Sequence, residues 1–161
     1  GNFYSSKREW SKAIEVYRRA ISLNPLYVPA YANLSDVYRV LKDEDTSEKV
    51  LRDGLVVDKG NATLHHALGL SLIRQNRVDQ ALLKLKLAAE LTSTNPRFVY
   101  VYAIALNSLG KISDAISVLT EAHDQYSSDQ EILQALITSN RKMGRVKMAK
   151  LYADRLAALR D

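Results

Sequence analysis

Apolar residues return along this chain at spacings of three and four, the period of a helix, and no stretch alternates apolar and polar as a half-buried strand does. The helical runs are about 14 residues long, a usual helix length. Short breakers part them: Asn24-Pro25, Lys42-Asp43, Gly60-Asn61, Asn76, Asn95-Pro96, Gly110, Ser127-Ser128-Asp129 and Gly144. In RRAISLNPLYVPAYANL, residues 18–34, Asn24-Pro25 closes one helix and Pro29 opens the next, where a missing N–H costs nothing.

The pattern repeats with a step of 34. Ala13, Ser47, Ala81, Ala115 and Ala149 form a column of small residues. Seven positions later, Ala20, Gly54, Ala88, Ala122 and Leu156 are small in four of five cases. Between them lie Tyr17, Leu51, Leu85, Leu119 and Ala153. The other half of the period behaves alike: Leu34, Leu68, Tyr102 and Leu136 are large, and the residues after them, Ser35, Gly69, Ala103 and Ile137, are small in three of four cases. A further large column is Tyr38, Leu72, Leu106 and Asn140, with Tyr4 one period earlier. The expected unit is a helical hairpin in which small side chains let paired helices approach and large ones fill the hollows. One hairpin cannot bury both of its apolar stripes, so hairpins stack.

These columns carry a resemblance. Ala13, Tyr17, Ala20 and Pro25, then Tyr31, Leu34 and Tyr38, with Leu68-Gly69, Ala81 and Ala88, are similar to the signature of the tetratricopeptide repeat (TPR) family. The resemblance implies an all-α fold, a right-handed superhelical α-solenoid of stacked antiparallel helix pairs, over residues 1–161. Its repeats are expected at 1–27 (truncated), 28–61, 62–95, 96–129 and 130–161, the last with a capping helix. Asn2 to Lys7 is expected to be only the last turn of a first helix, followed by a second helix at about Trp10 to Leu23 with an exposed apolar stripe including Trp10 and Tyr17. That stripe predicts self-association. Departures from the signature are Ser47, Gly54 and Lys59 in the second repeat, and Ile137 and Asn140 in the fifth. Gly54 predicts a softer second repeat, since Gly in a helix costs about 1 kcal/mol against Ala. Three segments, YRRAISLNPLYVPAYANLSDVYR, TLHHALGLSLIRQNRVDQAL and RFVYVYAIALNSLGKISDAI, also resemble TPR regions of bacterial multihaem cytochrome c-like proteins. That resemblance implies an extracytoplasmic setting; without it the setting is cytoplasmic.

Composition narrows the chemistry. With no cysteine, the chain has no disulfide, thiolate nucleophile, CxxCH haem attachment or cysteine-ligated zinc. The longest apolar run, FVYVYAIAL (Phe98 to Leu106), is too short to cross a bilayer. The N-terminus lacks a signal-peptide pattern. Net charge is +5, unevenly placed: residues 139–161 hold seven basic side chains against Asp154 and Asp161, leaving 16 of each sign before them. Five of the seven, Arg141, Lys142, Arg145, Lys147 and Lys150, form a basic patch that is either a solvated face or a dock for an anionic partner.

In stacked hairpins the first helices line a concave face. The period assigns to it Asn33, Asp36 and Arg39, then His66, Leu70, Ile73 and Arg74, then Arg97, Tyr100, Val101, Ile104 and Asn107, with Glu131, Gln134, Thr138, Arg141 and Lys142 in the last repeat. The expected groove is apolar around Leu70, Ile73, Tyr100, Val101 and Ile104 and polar at its ends, and it suits a peptide or protein segment. Asn33 is the leading polar candidate, because an amide can donate to and accept from an extended backbone at once. The family's basic clamp for acidic chaperone tails is not expected: Thr63 and Ala67 stand where it needs cations. His65 and His66 point about 100° apart on a helix and cannot share an ion. No catalytic residue, metal ligand, cofactor or small-molecule substrate is expected, and a nucleic-acid ligand is disfavoured. The reading is a non-catalytic interaction scaffold. Its alternatives are anionic-partner binding through the basic end and an oligomerisation module of a larger bacterial redox protein.

Overall fold

The computed structural model describes residues 2–92 and 95–159, with side chains described from Glu9 onward. Among these residues every regular element is an α-helix: α1 (Asn2–Leu23), α2 (Val28–Val40), α3 (Glu44–Val57), α4 (Ala62–Arg74), α5 (Val78–Leu91), α6 (Pro96–Ser108), α7 (Ile112–Gln125), α8 (Gln130–Lys142) and α9 (Val146–Ala157). First helices start at Val28, Ala62, Pro96 and Gln130, and second helices at Glu44, Val78, Ile112 and Val146, so each start falls 34 residues after the last of its kind.

The punctuation repeats as well. The turn after each first helix places Lys42, Asn76, Gly110 and Gly144 at φ 63°, 59°, 75° and 70°. This left-handed residue ends the first helix and reverses the chain within a few residues. Asn61, Asn95 and Asp129, another column of the same step, cap α4, α6 and α8 by accepting from Leu64 N, Arg97 N and Ile132 N. Each cap satisfies an N–H that the first turn leaves orphaned.

The chain forms two compact units, Gly1–Leu91 and Thr92–Asp161. In the first, α1 packs on α2, α2 pairs with α3, α3 packs on α4, and α4 pairs with α5. Its core gathers Tyr31, Leu51, Leu64, Leu68, Leu72 and Ala81. The small columns are where backbones meet: Ser47 is buried and its Oγ donates to the Ser35 carbonyl at 3.0 Å. A Cβ on Gly54 would lie 2.9 Å from Leu64 Cδ1 and from Tyr31 Cβ. Gly54 is therefore a close-approach point between α3 and its two neighbours.

In the second unit α6 pairs with α7, α7 packs on α8 and α8 pairs with α9. Ala115 is fully enclosed, as Ala81 is in the first unit. The two departures in the last repeat are both absorbed. Ile137 is buried, and Asn140, 1% exposed, donates from Nδ2 to the Leu136 carbonyl at 2.8 Å, so its amide does not enter the core unsatisfied.

The N-terminus differs from expectation in two ways. α1 runs unbroken through Asn2–Leu23, with no stop between Lys7 and Trp10, because no Gly or Pro interrupts SKREW. Trp10 and Tyr17 are half-buried; among the described side chains of α1 the bare large apolar residues are Val16, 61% exposed, and Leu23, 77% exposed. Tyr4 lies outside the described side chains.

Candidate functional site

First helices of successive hairpins touch within each unit, α2 against α4 and α6 against α8. No pairing of that extent is seen between their second helices among the described residues. The first-helix side is thus the inner side of each stack.

On the inner face of the first unit Asn33, Asp36 and Arg39 are exposed, and Asp36 and Arg39 pair with each other at 2.6 Å. His66 and Leu70 are half-buried and Ile73 is 36% exposed. Arg74 does not face a partner freely. Its Nε and Nη2 donate to the two oxygens of Glu44 at 2.5 and 3.1 Å, and Ser71 Oγ donates to the same carboxylate at 2.9 Å. The Arg74 hydrogen bond is the main reason the Glu44 carboxyl lies below its ordinary range; burial opposes it. Asn33 is left as the polar group of this face with its amide exposed.

Next to this face lies a cluster that periodicity alone did not reveal. Glu48 is 8% exposed and accepts from Arg52 Nε at 2.8 Å, Arg77 Nη1 at 2.6 Å and Gln75 Nε2 at 2.9 Å. Burial, the largest influence, pushes its carboxyl up, but the Gln75 and Arg52 hydrogen bonds and the Arg52 and Arg77 charges together hold it below the ordinary range. The signal was present in the sequence: the column Ile14, Glu48, Leu82, Ile116, Lys150 is apolar in three of its five positions. A charge buried in such a column, as Glu48 is and the exposed Lys150 is not, must find an internal counter-ion.

The inner face of the second unit carries half-buried Tyr100 and Val101 and an exposed Ile104. Arg97 pairs with Glu131, one period on, at 2.5 Å, and its guanidinium stands 5.5 Å from the Tyr100 ring centroid. The Glu131 hydrogen bond raises the Arg97 pKa. Asn107 Nδ2 donates to Ser139 Oγ at 2.7 Å. Both residues, expected to meet a partner, tie α6 to α8. Gln134, Thr138, Arg141 and Lys142 are exposed.

Arg141, Lys142, Arg145, Lys147 and Lys150 are all exposed at the end of α8, the following turn and the start of α9. Arg145 also edges an open hollow of about 490 Å³ lined by Ser113, Ile116, Ser117, Thr120, Glu121 and Asp124 of α7.

The histidines have structural settings. His65 is buried, with Nε2 2.9 Å from the Lys59 carbonyl. His123, also buried, has Nε2 2.7 Å from Arg155 Nη1 and meets the Tyr152 ring edge-on at 5.5 Å. A guanidinium only donates, so Nε2 accepts and the imidazole is neutral. Burial first, and then the Arg155 charge, lower its pKa; Asp124 opposes.

Residues 1–26 match a family model described as tetratricopeptide repeat. The chain is 25% identical over 125 residues to anaphase-promoting complex subunit 3 of Schizosaccharomyces pombe, an alignment covering 78% of this chain and 18% of that protein's length. Its fold matches the crystal structure of MamA with a TM-score of 0.80 at 17% identity, covering 97% of this chain and 91% of that one. It also matches YrrB, described as a TPR protein with an unusual peptide-binding site, with a TM-score of 0.72 at 20% identity, covering 98% and 81%. The fold is the TPR type of stacked helical hairpin.

Proposed function

We propose that the chain is a non-catalytic scaffold that holds a peptide or partner-protein segment against its first-helix faces. The observation that carries this reading is incompletely buried apolar surface on the inner side of each stack: Leu70 and Ile73 in the first unit, and Tyr100, Val101 and Ile104 in the second. Apolar surface held open beside polar side chains marks an interaction site more often than a packing defect. Asn33 supplies the polar anchor in the first unit, since its amide offers donor and acceptor together. Arg74, Arg97 and Asn107 act indirectly, by fixing the helices on which those side chains stand. The peptide-binding site named for YrrB supports the same use of this fold.

The test is capture of a cross-linked partner by the tagged chain and by single variants Leu70→Asp and Tyr100→Asp. Leu83→Asp on α5, where Leu83 is 59% exposed, serves as control. The control retains the partner, and at least one inner-face variant loses it while keeping wild-type helicity. Capture unchanged in both inner-face variants removes the assignment. The cytochrome-like segments suggest a setting beside a multihaem redox protein, and Soret absorbance in the captured fraction tests that setting.

A further inference from the structure

The basic patch is a run of five cations without counter-ions among the described residues, in contrast to the paired arginines of the earlier repeats. Arg39, Arg52, Arg74, Arg77 and Arg97 each hold a carboxylate at 2.5–2.6 Å. Arg155 is spent on His123 and Arg18 on the Tyr38 hydroxyl. Arg141, Lys142, Arg145, Lys147 and Lys150 have no carboxylate within ion-pair distance among the described residues, although Glu121 and Asp124 line the hollow beside Arg145. Five like charges packed into ten residues repel one another inside a Debye length of about 10 Å, and a partner of opposite sign relieves that repulsion.

Charge is half of the pattern. Within the same stretch and its next residue Val146 is 73% exposed, and Met143, Met148 and Leu151 are exposed as well. Along α9 Lys147 and Leu151 are one turn apart, as are Lys147 and Lys150, so cationic and apolar side chains share one surface. We propose that the end of α8 and the exposed side of α9 form a second docking surface, distinct from the first-helix faces, for an acidic polypeptide segment that also carries apolar side chains.

The surface chemistry selects this occupant over other anions. A nucleic-acid strand makes its sequence-tolerant contacts by stacking bases on exposed aromatic rings, and Tyr152, the one aromatic of α9, is buried. An anionic bilayer takes up a helix by its continuous apolar face, and in α9 that face, Ala149, Tyr152 and Leu156, is buried in the protein. An acidic peptide uses both features at once, its carboxylates on Lys147, Lys150 and the arginines and its apolar residues on Val146 and Leu151.

The probe is a fluorescein-labelled peptide of repeated Glu-Glu-Leu triplets, titrated with the whole chain by fluorescence anisotropy. Binding weakens as salt is added, and Lys147→Glu with Lys150→Glu weakens it about tenfold, since two attractions become repulsions. Val146→Ser with Leu151→Ser and a Glu-Glu-Ser probe each weaken binding too, whereas Leu70→Asp leaves it unchanged. Circular dichroism verifies that each variant keeps its helicity. Four results overturn the proposal: no binding at low salt, binding insensitive to the charge reversal, equal affinity for the Ser-containing probe, or tighter binding to phosphatidylserine vesicles or to an oligothymidylate strand at the same salt.

Discussion

Replacing Gly69 by Ala sets two effects of known sign against each other. In a helix interior the added methyl gains about 1 kcal/mol of intrinsic helix stability. Against this, a Cβ at Gly69 would lie 2.7 Å from both Cγ and Cδ2 of Leu85 and 3.3 Å from the Ala81 carbonyl oxygen. Carbon atoms rest at about 3.5–4.0 Å, so Leu85 must retreat by about 1 Å. Leu85 has no exposed surface into which to retreat. Its Cγ lies next to the backbone, so the retreat takes a χ1 change or a displacement of α5 from α4. Overpacking of this kind costs about 1–3 kcal/mol. The net expectation is a loss of about 1–2 kcal/mol, because two atoms of one immobile side chain are struck together. Gly54→Ala meets Leu64 Cδ1 and Tyr31 Cβ at 2.9 Å and falls in the same direction. Tyr31 Cβ moves only with its backbone, but the loss is smaller because both overlaps are shallower than the 2.7 Å contacts at Gly69 and the Leu64 methyl can rotate aside. Gly60→Ala is the internal control: its nearest neighbour is Asp58 Oδ1 at 3.8 Å and its φ is ordinary, so it gains about 0.4–1 kcal/mol by restricting the unfolded chain. Urea titrations followed by Trp10 fluorescence, the sole tryptophan and part of the first unit, order the midpoints as Gly60→Ala, wild type, Gly54→Ala, Gly69→Ala. A Gly69→Ala midpoint at or above wild type, with unchanged slope, refutes the close-packing account of the small columns.

Lys42 sits at φ 63° in the column that Gly110 and Gly144 occupy in the second unit. Lys42→Gly removes a left-handed strain of about 1–2 kcal/mol for part of that in added chain entropy, so the urea midpoint rises. Glu48→Ala takes the carboxylate acceptor from Arg77 and Gln75 and lowers stability by about 1–3 kcal/mol. Glu48→Leu strands the same donors but restores the volume, so an equal loss at the same pH assigns the cost to the donors and a smaller one assigns it to lost packing. His123 titrates below its ordinary value in the folded chain, so as pH falls the unfolded chain takes up the proton first. Its contribution is complete above the ordinary histidine range and drains as pH falls toward the folded value, so the wild-type midpoint drops as pH falls below about 6.5 and His123→Gln drops less. Parallel pH profiles for the two would show that His123 is not the titrating group; Glu44 and Glu48 are held low and stay ionised across this window.

The helices, their lengths and their turns were legible because each is written by a local rule repeated at one step. Small residues at Ala81 and Ala115, the Lys42–Asn76–Gly110–Gly144 turns and the Asn61, Asn95 and Asp129 caps need nothing beyond neighbours in sequence. What was not legible was how polar residues on the inner face were employed. Periodicity places Arg74, Arg97 and Asn107 on that face and is silent on which of them bonds across to the next repeat. Arg97 and Glu131 share a column one period apart, so that pair could have been read from the sequence. Arg74 to Glu44, Gln75 to Glu48 and His123 to Arg155 span 30, 27 and 32 residues, offsets that depend on how far one hairpin leans over the next. The Trp10 and Tyr17 stripe failed for a similar reason, since α2 covers part of α1: Ile21 packs against the core and Arg18 bonds Tyr38.

Those cross-repeat bonds also account for a problem that periodic packing creates. If every hairpin shows the same small and large columns, any hairpin can stack on any other, and apolar burial alone cannot choose the neighbour. Glu48 breaks the degeneracy. It stands in a column that is apolar in Ile14, Leu82 and Ile116, so it is buried wherever α3 is packed. A buried carboxylate without a partner costs several kcal/mol. The turn between α4 and α5 supplies Gln75 and Arg77 to meet it. The turn after α6 offers Leu109 and Lys111 at the same columns, and Leu109 has no donor to replace Gln75. The pairing therefore specifies that α3 is followed by α4 and no other first helix. The same economy explains the division of labour on the inner faces. Arg74 and Arg97 are engaged in holding neighbouring helices together, so on the reading proposed above recognition falls to the amide of Asn33 and to the apolar groups of Leu70, Ile73, Tyr100 and Ile104.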